Sequence, residues 1–78
     1  MPDLEWRDHN GTKVSTRYNG KQQIRYVVTP QGGGLWIAGR CLYAADEDPA
    51  THSAFDVSTI GENFIDAACA MSACELQD

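Results

Sequence analysis

The sequence predicts an α+β fold: a small antiparallel meander of three or four strands with one C-terminal helix packed on one face. Three observations favour it. Residues alternate between apolar and polar in Thr12–Tyr18 and in Gln22–Thr29, an apolar stretch covers Leu35–Ala44, and a helical pattern follows Thr59. The chain has 78 residues, which predicts a single domain over residues 1–78. A chain of this length buries only about 60–65% of its unfolded surface, so its own core is small.

The first strands are predicted from alternation and turn residues. Leu4–Asp8 is a short candidate strand, and His9-Asn10-Gly11 is a turn. In the next strand Val14 and Tyr18 lie on one side, as expected for a half-buried strand. Asn-Gly at positions 19 and 20 predicts a hairpin. We favour a three-residue loop, Asn19-Gly20-Lys21, because it pairs Val14 with Tyr26 and brings the apolar rows together.

The middle of the chain holds the longest predicted strand. Pro30–Gly34 is a turn, and Leu35–Ala44 is apolar on both sides. Asp46–Ser53 is predicted to be a loop, and Ala54–Val57 a short extended piece that leads into the helix.

The C-terminal segment predicts a helix from about Ile60 to Leu76. Thr59 and Glu62 have the spacing of a capping box. One helical stripe is expected to cover the sheet, and it comprises Ile60, Phe64, Ala67 and Met71. A second stripe, with Ile65, Cys69 and Leu76, would face outward. An exposed apolar stripe predicts a homodimer in which Cys69 can meet its own copy across a two-fold axis and form a disulfide. Burial of the stripe within the monomer is the alternative.

Charge is divided along the chain. Five basic residues and no acid lie between His9 and Ala45, whereas eight acids and no base lie between Asp46 and Asp78. The net charge of −5 therefore combines two opposed fields. Such segregation steers and selects partners, so we expect the function to be contact with another macromolecule.

Two surfaces are candidates for that contact. In the favoured register the sheet face without a helix would carry Lys13, Ser15, Arg17, Gln23, Arg25 and Val27, and the third strand would add Trp36, Ala38 and Arg40. Arg and Trp are frequent interface anchors, so Arg17, Arg25, Arg40 and Trp36 are the candidate partner-binding residues of this face. The acidic loop supplies Asp46 and Asp48 as the alternative. A merely solvated face or loop is the plain structural interpretation of each.

No motif predicts chemistry. Asp46-Glu47-Asp48 with His52 is typical of a solvated loop, and Gly32-Gly33-Gly34 lacks the lysine and helix of a phosphate loop. Cys41, Cys69 and Cys74 show no Cys-x-x-Cys spacing, and apart from the possible Cys69 pair across a dimer they are expected to be small buried apolar side chains in a reducing cytoplasm. We expect no enzyme activity, no metal, no cofactor and no small-molecule substrate. Because no signal peptide or membrane span is apparent, we expect a cytoplasmic protein.

Taken together, the chain resembles phage-encoded anti-CRISPR proteins that act on type I Cascade surveillance complexes, with type I-C as a candidate subtype. The resemblance rests on the small size, the net acidity, the basic segment Lys13–Arg40, the predicted helix Thr59–Leu76 and the absence of a catalytic motif. It implies binding to a Cas protein of the complex that blocks target DNA, inside the host bacterial cell. The alternative from another class is a small nucleic-acid-binding or regulatory protein that uses a basic sheet face. The acidic half disfavours that alternative, because it would repel a phosphate backbone.

Overall fold

The computed structural model describes residues 5–48, 51, 53–54 and 56–76. Its five strands are β1 (Arg7–His9), β2 (Thr12–Asn19), β3 (Gln22–Gly32), β4 (Leu35–Ala44) and β5 (Asp56–Phe64), and helix α1 (Ala67–Glu75) follows. The strands form one antiparallel sheet in sequence order, β1-β2-β3-β4-β5. The predicted α+β meander with a C-terminal helix is confirmed, with one strand more than the upper number predicted.

Short turns join the first strands. Asn10 and Gly11 connect β1 to β2 with φ of 55° and 85°, as a type I′ hairpin requires. Gly20 has φ 60° at the first position of a two-residue loop, where a type II′ hairpin requires glycine. The predicted short strand Leu4–Asp8 is shifted to Arg7–His9; Leu4 itself lies outside the described residues.

The predicted register of the β2–β3 hairpin is wrong. The loop has two residues, Gly20 and Lys21, so that Val14 pairs with Val27 and Ser15 pairs with Tyr26. The prediction assumed that the apolar rows of both strands face the helix. Helix α1 packs chiefly on β3, β4 and β5. The apolar row of β2 therefore joins the opposite face of the sheet.

The core lies between the helix and the last three strands. Tyr26, Val28 and Ala38 from the sheet and Ala70 and Cys74 from the helix are fully buried together. Half-buried residues surround them: Trp6, Ile24, Trp36, Ile60, Phe64, Ala67 and Met71. Trp6 also donates its indole N–H to the Glu75 carboxylate at 3.3 Å. Phe64 and Met71 were predicted to be largely buried against the sheet; both pack against the core but are only half-buried, and Phe64 does so from a strand.

The predicted helix start at Ile60, with Thr59 as its N-cap, is wrong. Residues 56–64 form β5, and the helix begins at Ala67 with Asp66 as its N-cap. Residues 56–64 form a strand and not a helix because β4 would otherwise leave one edge of its backbone without hydrogen bonds beside the core. Irregular pairing between Trp36 and Gly39 lets β5 deviate from strict alternation, so its apolar residues mimic a helical spacing.

Candidate interaction surface

The sheet face opposite the helix, called the open face below, is apolar in the middle. Directly paired residues share a face. Val27 pairs with Val14 and with Gly39, and Cys41 pairs with Val57. Ile37 of β4 lies in the same row as Gly39. An antiparallel sheet with one packed face commonly turns polar residues to water on the other. This face instead presents aliphatic side chains from four strands.

Two large side chains mark the sides of the open face. Tyr18 on β2 is 66% exposed, and Val57 on β5 is 69% exposed. In the row next to that of Val57, beside Val27, the surface is flat at Gly39, where an added Cβ would meet only the Ser58 carbonyl oxygen, at 3.6 Å. An exposed aromatic, an exposed aliphatic and a flat centre can accept a complementary apolar surface.

Arg25 is the charged residue of the central strands on this face. It lies between Thr16 and Cys41 in the strand pairing. No described carboxylate forms an ion pair with its guanidinium. Burial raises the pKa of the half-buried Cys41 thiol, and the nearby Arg25 charge opposes that shift. Cys41 is therefore a neutral apolar group at neutral pH, and Arg25 keeps its hydrogen-bond donors available.

The predicted composition of this face is corrected by the observed register. Arg25, Gln23 and Val27 lie on the open face as predicted. The other predicted members, Lys13, Ser15, Arg17, Trp36, Ala38 and Arg40, lie on the helix side. Of the four candidate anchors only Arg25 is on the open face.

Three of the candidate anchors thus belong to the helix side. Trp36 packs against the core, and Arg17 is exposed near the far end of β2. Arg40 is half-buried, and its Nε has no hydrogen-bond partner. Ser15 Oγ, on the other side of Tyr26 in the same row, is also buried without a partner. These groups do not form a common surface with Arg25.

The acidic loop closes one end of the open face. Glu47 turns inward: its carboxylate accepts the Ala44 N–H at 2.9 Å, and its carbonyl accepts from Gln23 Nε2 at 3.1 Å. Gln23 and Tyr43, its partner on β4, are both buried. Asp46 and Asp48 remain exposed, so both predicted loop residues are on the surface. His52, named with them in the sequence, lies outside the described residues.

The first three strands and the segment before them enclose a cleft of about 430 Å³ on the open face. Arg7, His9 and Arg25 line it, and Val14 and Thr16 form its floor. Sequence reasoning missed this cleft. The available signal was the alternation of Arg7 and His9 along a strand that pairs with Val14, but His9 was assigned to the turn and not to the strand.

The predicted dimer stripe is exposed as expected. Ile65 is 76% exposed and Leu76 is 82% exposed, and Cys69 is an exposed free thiol. Ile65 precedes the helix and does not belong to it. At the helix start Asp66 accepts the Cys69 N–H at 2.8 Å. A hydrogen bond to that carboxylate raises the pKa of the Cys69 thiol.

Within the described residues, no group of three or more His, Cys, Asp or Glu side chains could hold a metal ion. No helix in the same part of the chain is long and apolar enough to cross a membrane. Comparison of the chain with protein-family models, with curated proteins and with solved structures found no match.

Proposed function

We propose that this protein acts by binding another protein through the open face, as a stoichiometric inhibitor. The observation that carries the proposal is the apolar face itself, which no described element covers, with Tyr18 and Val57 exposed on its outer strands and a flat surface at Gly39. Patches of this kind on small domains mark interaction sites. Aromatic and arginine anchors supply most of the binding energy at such sites, and Tyr18 and Arg25 are available here.

The proposed partner is a Cas protein of a type I Cascade surveillance complex, and the proposed effect is to block its binding of target DNA. The resemblance to anti-CRISPR proteins supports this choice. The charge distribution of the folded chain is compatible with it, because basic residues concentrate on β2–β4 while β5, α1 and the acidic loop carry the acids. A partner with mixed charge can be selected by such a pattern.

Co-purification tests the proposal. The tagged protein is incubated with purified type I surveillance complex, with or without target DNA bound beforehand, and the captured material is quantified. We expect retention of the free complex and reduced retention of the complex that already holds DNA. Equal retention of both would contradict the blocking of DNA binding, and no retention would contradict the choice of partner.

A gel-shift assay with the protein alone separates the other class of function. We expect no shift of DNA or RNA at moderate salt, since acids lie at the acidic-loop end of the open face. A salt-dependent shift at low micromolar protein would instead support nucleic-acid binding.

A further inference from the structure

The cleft between β1, β2 and β3 has a charge pattern of its own. Asp8 contributes to the lining, but it pairs with Lys13 of the helix side, and its carboxylate accepts from Lys13 Nζ at 2.7 Å and from the Gly11 N–H at 2.9 Å. These two bonds hold the pKa of Asp8 below its ordinary value. Asp8 is thus fixed as an anion and is neutralised by Lys13.

The other acid that lines the cleft, Glu5, is only loosely paired. Glu5 Oε1 lies 3.8 Å from Arg7 Nη2, and both side chains are more than 80% exposed. Exposed pairs at this distance contribute little, so Arg7 can turn to another anion. Arg25 has no carboxylate partner within the described part of the chain. The cleft therefore holds two arginines and His9. Of the two arginines, Arg25 is the more available for an incoming anion, because it has no carboxylate partner in the described part of the chain.

The floor of the cleft limits what can bind. Val14 and Thr16 lie beside the half-buried Arg25. A group that reaches the guanidinium is therefore shielded from water on the side of these two residues. A guanidinium forms a planar fork that matches a carboxylate with two parallel hydrogen bonds. A compact anion on an apolar stem fits this site, because the anion can bind the guanidinium while the stem lies against Val14 and Thr16.

We infer that the cleft binds a carboxylate side chain of the partner protein, an Asp or Glu held by Arg25 with Arg7 beside it. This inference rests on the proposed protein-binding function and names the partner's chemistry at one site. A nucleic-acid phosphate is disfavoured, because the exposed Glu5 carboxylate lies at the same cleft. Single-strand binding sheets also carry several stacking aromatics, and the lining of this cleft has none among the described residues.

The test uses the isolated protein and two matched probes, N-acetyl-aspartate amide and N-acetyl-asparagine amide. Two-dimensional NMR follows the Arg25 Nε–H and the Val14 and Thr16 amides. We expect saturable shifts with the aspartate probe and none with the asparagine probe. Arg25→Gln should weaken the aspartate response at least about tenfold, since it removes a charge-assisted fork. Lys21→Gln, which removes one charge from an exposed turn, should leave the response unchanged.

Several results would overturn the inference. They are equal responses to both probes, no saturable response in the wild type, or an unchanged response in a folded Arg25→Gln variant. Tighter binding of pyrophosphate than of the aspartate probe would assign the cleft to phosphate. If Arg25→Gln does not fold and so loses its dispersed spectrum, the positions of the shifted signals in the wild type test the site instead. Shifts that lie away from β1–β3 would contradict the inference.

Failure of the proposed function can be distinguished from failure of the cleft inference. If the wild type shows the cleft response but no surveillance complex is retained, the proposed partner is wrong and the cleft stands. If Arg25→Gln is retained by the complex as well as the wild type, the cleft contributes nothing and the open face still stands.

Discussion

Asp66 has two roles at the start of α1. Its backbone is extended, with φ −153° and ψ 168°, and its side chain accepts the Cys69 N–H as an N-cap. The same carboxylate raises the pKa of the Cys69 thiol, first through the side-chain hydrogen bond. A thiol at a helix N-terminus is usually activated, so the adjacent carboxylate reverses that tendency. The exposed cysteine is therefore less reactive than its position implies.

Asp66→Asn should increase the reactivity of Cys69. Asparagine keeps the capping geometry and removes the negative charge, so the pKa of the thiol should fall toward its ordinary value of 9.0. We expect faster alkylation of Cys69 by iodoacetamide at pH 8, measured by mass spectrometry, with Cys41 in the same sample as an internal reference. An unchanged or slower rate at Cys69 would show that Asp66 does not control the thiol.

We also predict a pH dependence of stability, measured by comparing the wild type with Asp66→Asn. The hydrogen bonds from the cap hold the pKa of Asp66 below its ordinary value of 3.8. A lowered carboxyl pKa stabilises the folded state above that ordinary value, and the contribution disappears as the pH falls below it. The Tm advantage of the wild type over Asp66→Asn should thus decrease between pH 5 and pH 3. A constant difference across that range would argue against the cap bond.

At the scale of the elements, alternation and turn chemistry were sufficient for β2, β3 and β4, and Asn-Gly located the first two turns. They were insufficient for register, since Val14 can pair with Tyr26 or with Val27 without a conflict inside either strand. The choice depends on which strands the helix covers, which is a tertiary fact. The segment Ile60–Phe64 was predicted to be helical for the same reason. The spacing of its apolar residues fits both a helix and an irregular strand, and the need of the β4 edge for hydrogen-bond partners selects the strand.

Gly61 is required by the ring of Phe64. A Cβ at Gly61 would lie 2.7 Å from Cζ of Phe64, whereas one at Gly39 meets nothing closer than 3.6 Å. Overpacking of this kind destabilises by about 1–3 kcal/mol, so Gly61→Ala should lower the free energy of unfolding by that amount in urea denaturation. Gly39→Ala, in the neighbouring strand, should show no loss. Equal effects of the two substitutions would mean that Phe64 moves aside freely.

Helix α1 and the residues at its two ends offer a second surface, with the Asp66 carboxylate beside Cys69. Ala68, Cys69 and Ser72 are exposed on it, between Ile65 and Leu76. We predict a concentration-dependent dimer on this stripe, measured by light scattering in reducing buffer. Ile65→Glu with Leu76→Glu should give monomers, and Cys69→Ser should remain dimeric without forming a cross-link in oxidising buffer. A wild type that stays monomeric at millimolar concentration would refute the dimer.

At the scale of the whole molecule, the sheet separates two surfaces. The helix and the stripe Ile65–Leu76 lie on one side, and Tyr18, Arg25 and Val57 lie on the other. The sequence predicted that one sheet face stays open but assigned it the wrong row of β4. The reason is that Leu35–Ala44 is apolar on both sides, so alternation could not decide which row faces the helix. That two-sided apolar pattern was also the available signal for an apolar open face.

The central claim is that the open face, and not the helix side, binds the partner. The most direct measurement is the affinity of a type I surveillance complex for two double variants that make the same change of exposed apolar residues to glutamate on opposite sides of the sheet. One is Tyr18→Glu with Val57→Glu, and the other is Ile65→Glu with Leu76→Glu. Circular dichroism verifies the fold of each.

We expect the open-face variant to bind at least about 30-fold more weakly, since loss of one anchor costs about 2 kcal/mol. The helix-side variant should bind within threefold of the wild type. The opposite ranking, or an equal loss in both folded variants, would contradict the assignment of function to the open face.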